Sequence, residues 1–519
     1  MRGVDRNWRP ILWLAALGFL SRIALAFRSE WQIASRPYLD DAYYLFSCAR
    51  HLALGHGFTV DGIHPTNGIQ ALICLLYAPG FWISSDPSVG LRLTFLVGAL
   101  VQAASTIVLA LLLKRMQKYT GETSSFMFTM FGRRISTPII GALLWTIIAP
   151  LADQNGSGLE TGLVALILLT TLLYFQVVLE LGWNISRSCL IGAALGLMVL
   201  ARVDSALFVL GFALVELWRT RMRAFGFVAI AVVVAGTISL PWWIYSFTRF
   251  GSFMPISGAA ESIGRPIGEN LLQTSTALFD MLTIFFNHVY FAWPPWFEVA
   301  SFLSLCCAWM LLLQRLDAVK YLKAQFDLRV LAPLVVFSVL LLIFYNFFFS
   351  APHFLVRYLH SFRVLILILA AALTPLLARA VREWSSRIGK FAVVVFILMA
   401  AYFSIYRYVN EYIAPPKSDF YRVGLWARQH TGQVGMDQSG TAGFYAPNVI
   451  NLDGKVNRDA LAAIEAGGIG QYIAREKIEY LADWKPLVER LVMDAKKYGA
   501  DYSLFDSIGY IRIYKYDPR

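Results

Sequence analysis

The stretch RPYLDDAYYLFSCARHLALGHG, residues 36–57, decides how this chain is read. Two adjacent carboxylates, Asp40 and Asp41, open a helix-forming run that stops at Gly55 and Gly57. Just upstream, residues 11–27 are an apolar run, long enough for a bilayer crossing of roughly 17–25 residues. A pair of acids therefore sits where a first span emerges. Aspartate suits a helix N-terminus because free N–H groups and the helix dipole stabilise a carboxylate there, and glycine suits the stop. A cap accounts for one acid. A second carboxylate kept ionised by the same N–H groups is available as a proton acceptor or metal ligand.

The rest of the chain places that pair. Of 519 residues, 58% are hydrophobic and 15% charged, and the mean hydropathy of +0.58 lies outside the soluble range. The net charge of +12 comes from basic residues in short loops between apolar runs. That is the positive-inside pattern of a polytopic membrane protein, and it points to a bilayer surface instead of nucleic acid. Arg2, Arg6 and Arg9 precede the first span and put the N-terminus inside. With no small-residue cleavage site behind it, the span reads as retained. The five cysteines show no metal-binding spacing, and three fall in expected spans. Cys48 and Cys74 share the first outer segment, and their pairing is left open.

Residues 28–90 form that outer segment, with two interfacial helical stretches over about 40–54 and 66–83. Reading the second as a full crossing would put the basic loop 114–134 outside, against the charge rule. Further spans are expected at about 91–113, 136–152, 161–181, 188–201, 205–218, 224–247, 297–314, 330–350, 364–379 and 391–409, with a second long outer segment at 248–296. The sequence thus predicts about eleven transmembrane helices within residues 1–411. From about 412 charge becomes frequent and apolar runs shorten. Helical patterns at 419–430, 456–465 and 486–498 alternate with strand-like runs, predicting a soluble α/β domain over 412–519. An odd number of spans sets this domain outside. No internal repeat is evident.

The outer segments before residue 412 carry arginines (Arg28, Arg36, Arg50, Arg249, Arg265, Arg357) and no lysine. Arginine is the better match to the planar geometry of phosphate oxygens. Residues 40–72, DDAYYLFSCARHLALGHGFTVDGIHPTNGIQAL, resemble the first outer loop of bacterial GT-C membrane glycosyltransferases that use polyprenyl-phosphate sugars. Protein O-mannosyltransferases and lipid A aminoarabinose transferases share that architecture. NGSGLET (155–161), LARVDS (200–205), PWWIYSFTRFGSFMPISG (241–258), HFLVRYL (353–359) and INLDGKVN (450–457) extend the resemblance over nearly the whole chain. The chain departs from the pattern after TNG, where IQALI replaces a Pro-Leu-Trp continuation.

The resemblance implies a GT-C fold in a bacterial cytoplasmic membrane and an inverting transfer of a sugar from a polyprenyl-phosphate donor to an acceptor hydroxyl on its outer face. It makes Asp40 the general base, with Asp41 as the alternative. Arg357, Arg202 and Arg249, with Tyr358, are the candidates to meet the leaving phosphate. Glu160, His64, Asn67, Asp204 and Asp453 are candidate substrate contacts. A divalent metal is left open, with Asp40, Asp41 and Glu160 as the carboxylates that would hold it. The acceptor is an envelope lipid, glycan or protein. No glycine-rich phosphate cradle is present, in keeping with a lipid-phosphate donor. The competing classes are a lipid or glycan flippase, which places ionisable groups near mid-membrane, and a non-catalytic assembly subunit.

Overall fold

A computed structural model describes residues 8–84, 86–118, 127–130, 133–147, 156–263, 268–282, 295–349, 355–383 and 418–518, with a few isolated positions besides. The expected span at 391–409 lies outside these residues apart from such positions, and Arg265 lies outside them as well. Among the described residues, six helices are long and apolar enough to cross a membrane: Arg9–Phe27, Pro87–Met116, Thr161–Leu181, Phe225–Phe250, Leu328–Phe347 and His360–Ala380. They coincide with expected spans 1, 2, 4, 7, 9 and 10. Expected span 8 is a bent pair, Val299–Arg315 and Ala318–Gln325, meeting at 63°. Expected spans 3, 5 and 6 fall on Thr137–Ile147, Ile185–Ala201 and Ala206–Arg219, helices of 11, 17 and 14 residues. The last two sit at or below the roughly 17 residues that a straight crossing takes, and the first runs to the edge of the described residues.

Local chemistry sets the helix ends. Asp86 accepts from the Ser88 N–H at 2.9 Å, and Pro87 begins the 30-residue helix at the one position where its missing N–H costs nothing. Asn184 caps Ile185–Ala201 through the Arg187 N–H. On the first helix Trp13, Leu17 and Leu20 face outward and stay exposed, the arrangement expected of a surface wetted by lipid. Helices 185–201 and 225–250 pack through small residues. A Cβ on Gly192 would lie 2.4 Å from the Ala231 carbonyl, and one on Gly196 would lie 2.8 Å from that of Ala235. Lipid offers no hydrophobic drive for helices to associate, so such close backbone approach supplies dispersion contact in its place.

After the short helix Glu30–Ser35, residues 28–90 form two longer helices, Asp40–Ala53 and Ala71–Ile83, packed against each other. Tyr43, Phe46 and Cys48 on the first are fully buried. Gly158 lets this helix approach the 156–160 turn: its φ is +81°, and a Cβ there would collide with Phe46, Ala42 and Tyr38.

Strand β1 (Met127–Met130) pairs with β2 (Arg133–Ser136), and residues 418–518 carry a five-stranded sheet of β3 (Val434–Met436), β4 (Val449–Asn451), β5 (Tyr480–Trp484), β6 (Tyr502–Ile508) and β7 (Ile511–Tyr516), in the order β4-β3-β5-β7-β6. β3 runs parallel to β4 and β5, and β7 is antiparallel to β5 and β6. Alternation sends Val449, Tyr480 and Ala482 into one apolar cluster and Ile450 and Leu481 into another. Helices cover both faces. The short helix Gly440–Tyr445 lies against Asp40–Ala53. There the Tyr44 hydroxyl meets Ser439 Oγ at 3.2 Å and accepts from Asn451 Nδ2 at 3.3 Å. The Tyr43 ring stands edge-on to Phe444 at 5.5 Å.

Candidate active site

A cavity of about 500 Å³ opens where segments far apart in sequence converge. It is lined by the polar residues Asp41, Glu160, Arg202, Asp204, Arg357 and Tyr358 and by the apolar residues Trp243, Phe253, Met254, Phe344 and Phe349, among others. Six of the eleven site residues expected from the sequence thus meet in one place.

Arg202 organises one end. It closes the helix Ile185–Ala201 in extended conformation, and the tight Val203–Ser205 turn brings Asp204 back against it. Nε and Nη2 donate to the two Asp204 oxygens at 3.0 and 2.6 Å, a bidentate pair. Nη1 donates to Glu160 Oε1 at 2.7 Å. The Tyr345 hydroxyl donates to Asp204 as well, and Tyr358 lies under the guanidinium at 4.8 Å. Glu160 is only 1% exposed, and Arg202 is its ion-pair partner.

The other end is built by Asp41 and Arg357. Arg357 Nη1 donates to Asp41 Oδ2 at 3.2 Å, and its guanidinium lies 5.2 Å from the centre of the Tyr358 ring. The side chains keep 24% and 18% exposure, so the pair remains open to the cavity.

Asp40 points elsewhere. Its carboxylate accepts from the Thr441 N–H at 2.7 Å and the Gly440 N–H at 3.2 Å, and it does not line the cavity. Burial pushes its carboxyl above the usual range, the bonds to Thr441 pull it back, and neighbouring Asp41 pushes it up again. The adjacent acids have thus parted: one holds backbone of the C-terminal sheet region, the other faces the cavity.

The remaining expected residues do not line the cavity. His64 Nδ1 pairs with Asp61 Oδ2 at 2.6 Å, which raises the imidazole above its ordinary value. Asn67 is fully buried and accepts from the Ile256 N–H at 3.0 Å, tying the first outer segment to the second. Arg249 is placed by its carbonyl, which accepts from Arg458 at 2.5 Å, and its side chain does not line the cavity. Asp453 accepts from the Lys455 N–H at 2.9 Å, and burial raises its carboxyl. Among the cavity residues that escaped the sequence reading are Tyr345, Glu261 and Lys455. Lys455 lies inside INLDGKVN, two residues from the acid that was singled out there.

Among the described residues no group of three or more His, Cys, Asp or Glu side chains is placed to hold a metal ion. The three carboxylates considered for one are engaged separately, Asp40 by backbone N–H groups, Asp41 by Arg357 and Glu160 by Arg202. They do not form a ligand set.

No protein-family model matches the chain, and no curated protein matches it in sequence. Solved structures match it in fold. ArnT from Cupriavidus metallidurans in the apo state is 12% identical, with 96% of each chain covered and a TM-score of 0.54. The same protein bound to undecaprenyl phosphate is 11% identical, with 96% of this chain and 97% of that one covered at 0.56. The oligosaccharyltransferase of Archaeoglobus fulgidus in complex with Zn and sulfate is 11% identical, with 90% and 67% covered at 0.50. This chain has the GT-C fold of membrane glycosyltransferases, as the first outer loop implied.

Proposed function

We propose that this protein is an inverting glycosyltransferase that moves a sugar from a polyprenyl-phosphate donor to an acceptor hydroxyl at the outer face of a bacterial cytoplasmic membrane. The observation that carries the reading is the Asp41–Arg357 pair, 3.2 Å apart, in a cavity lined by charged groups and by large apolar side chains. Asp41 takes the proton of the acceptor hydroxyl as its oxygen attacks the anomeric carbon. The bond from that carbon to the phosphate oxygen breaks on the opposite side, the electron pair leaves with the lipid phosphate, and configuration inverts. Arg357 stabilises the charge that develops there, with a fork that matches two phosphate oxygens. Arg202, already held by Glu160 and Asp204, acts on the same region through Tyr358. The apolar side chains receive the first isoprene units.

Asp41 therefore takes the role that the resemblance gave first to Asp40, because the Asp40 carboxylate is committed to Gly440 and Thr441. The proposal keeps the eleven-span threading, with residues 412–519 as an extracytoplasmic domain over the cavity. The fold shared with ArnT, one structure of which holds undecaprenyl phosphate, supports the donor class. The test is to incubate the purified protein in lipid nanodiscs with a panel of polyprenyl-phospho-sugars and an envelope extract, then measure released polyprenyl phosphate and labelled product. Release by the wild type and its loss in Asp41→Asn are expected. No release from any donor, with lipid crossing the bilayer instead, would replace the enzyme by a flippase.

A further inference from the structure

A further ion pair of the cavity has no part in the chemistry above. Glu261, in the helix Ile256–Ser262, and Lys455, in the turn after β4, both line the cavity that holds Asp41. Lys455 Nζ lies 2.7 Å from Glu261 Oε1 and 3.6 Å from Asp453 Oδ2. The lysine and glutamate side chains are only 18% and 9% exposed. Water screens such a pair poorly, and what exposure remains belongs to groups that line the cavity.

The backbone around the pair is fitted closely. Gly454 has a φ of +78°, which turns the chain so that Lys455 projects inward. The Lys455 carbonyl oxygen lies 1.9 Å from where a Cβ on Gly68 would stand, so only glycine at 68 admits this turn. Asn67, next to it, holds the Ile256 N–H. The 67–68 bend, the 256–262 helix and the 453–455 turn thus hold the pair in place from three sides.

Charge decides what the pair suits. One ammonium faces two carboxylates, Glu261 and Asp453, so an anion gains little there. The arrangement offers N–H donors beside carboxylate acceptors, the complement of hydroxyl groups that both donate and accept. Resting on the glycosyl-transfer reading, we propose that Glu261 and Lys455 bind the hydroxyls of a sugar ring lodged beside Asp41, and that the C-terminal segment thereby reads the sugar. That ring is either the one carried by the donor or one presented by a glycan acceptor, and the chemistry is common to both.

The experiment measures affinity for three probes: farnesyl phosphate, a panel of farnesyl-phospho-hexoses and -pentoses, and octyl glycosides added with farnesyl phosphate. Each is titrated into the wild type, Lys455→Ala, Lys455→Arg and Glu261→Gln, all as full-length protein. Lys455→Ala and Glu261→Gln are expected to weaken a sugar-bearing probe about tenfold, to leave farnesyl phosphate unchanged, and to be partly rescued in Lys455→Arg. A loss confined to the farnesyl-phospho-sugars assigns the pair to the donor sugar. A loss confined to the octyl glycosides assigns it to the acceptor. Equal weakening of bare farnesyl phosphate would make Lys455 a phosphate cation and overturn the proposal. So would unchanged affinity for every sugar-bearing probe, which leaves the pair a strut. If the wild type binds no farnesyl phosphate at all, it is the glycosyl-transfer reading that fails.

Discussion

Replacing each of the adjacent acids by its amide separates the two jobs the structure gives them. Asp41→Asn removes a proton acceptor, and a positioned general base contributes about 10²–10⁴ in rate, or about 3–5 kcal/mol of barrier at roughly 1.4 kcal/mol per decade. Its stability cost is small. Asp41 and Arg357 keep 24% and 18% exposure, and the amide oxygen of Asp41→Asn still accepts from Arg357, so the loss is about 1 kcal/mol, the difference between a charge-assisted and a neutral hydrogen bond. Asp40→Asn reverses the balance. The amide oxygen can still accept from one of the two N–H groups now bound by the carboxylate. The other N–H loses a charge-assisted bond, at about 1–3 kcal/mol. The expected result is an Asp40→Asn protein that unfolds at lower denaturant in detergent yet turns over within about tenfold of wild type when folded. Asp41→Asn should unfold like wild type and lose at least about a hundredfold in saturated donor consumption. The reverse assignment of rate loss, a dead Asp40→Asn beside an active Asp41→Asn, would refute the division.

Arg202→Met strands Glu160, which is 1% exposed, and should cost about 3–5 kcal/mol in denaturant unfolding; adding Glu160→Gln and Asp204→Asn should restore most of it. Arg357→Lys keeps the charge and loses the fork, so farnesyl phosphate should bind about tenfold more weakly by titration, the value of one charge-assisted bond. Burial lifts the Asp437 carboxyl to about 7, against the pull of Arg490 and with Asp453 and Asp483 pushing it further up. The folded state therefore holds this proton more tightly than the unfolded chain, and the group's contribution to stability is full below about pH 4 and lost as pH rises toward 7. Asp437→Asn should flatten that part of the pH–stability curve. Gly192→Leu should weaken or abolish folding in detergent, because the added carbon meets the Ala231 carbonyl.

The long helices were legible because lipid imposes a simple rule, a run of apolar residues with charge at its ends. Thr161–Leu181 follows from that rule alone. Ala206–Arg219 did not announce its shortness, since hydropathy reports apolar length and says nothing of where a helix stops. Within the site, Arg202 with Asp204 and Arg357 with Tyr358 were visible as neighbours in sequence. Their meeting with Asp41 and Glu160 was implied by resemblance, since no local pattern spans 316 residues, the separation of Asp41 and Arg357. Lys455 and Glu261 were missed because each looks like an ordinary solvated charge until the turn at Gly454 and the bend at Gly68 bring them together. The choice between Asp40 and Asp41 was beyond sequence for a plainer reason. Both occupy the first turn of one helix, and only the backbone at Gly440 and Thr441 distinguishes them.

That distinction has a consequence for how the molecule could be rebuilt. Consecutive α-carbons are about 3.8 Å apart, so the residue fastening the sheet-bearing segment and the residue facing the substrate chamber cannot move independently. Any shift of residues 418–518 is transmitted through a single peptide unit to the Asp41 carboxylate, the base proposed above. A chimera that exchanges residues 418–518 for those of a distant homologue would have to bring along a loop that grips Asp40 in the same register. Failing that, the graft would displace the neighbouring acid and silence turnover without touching a single chamber residue.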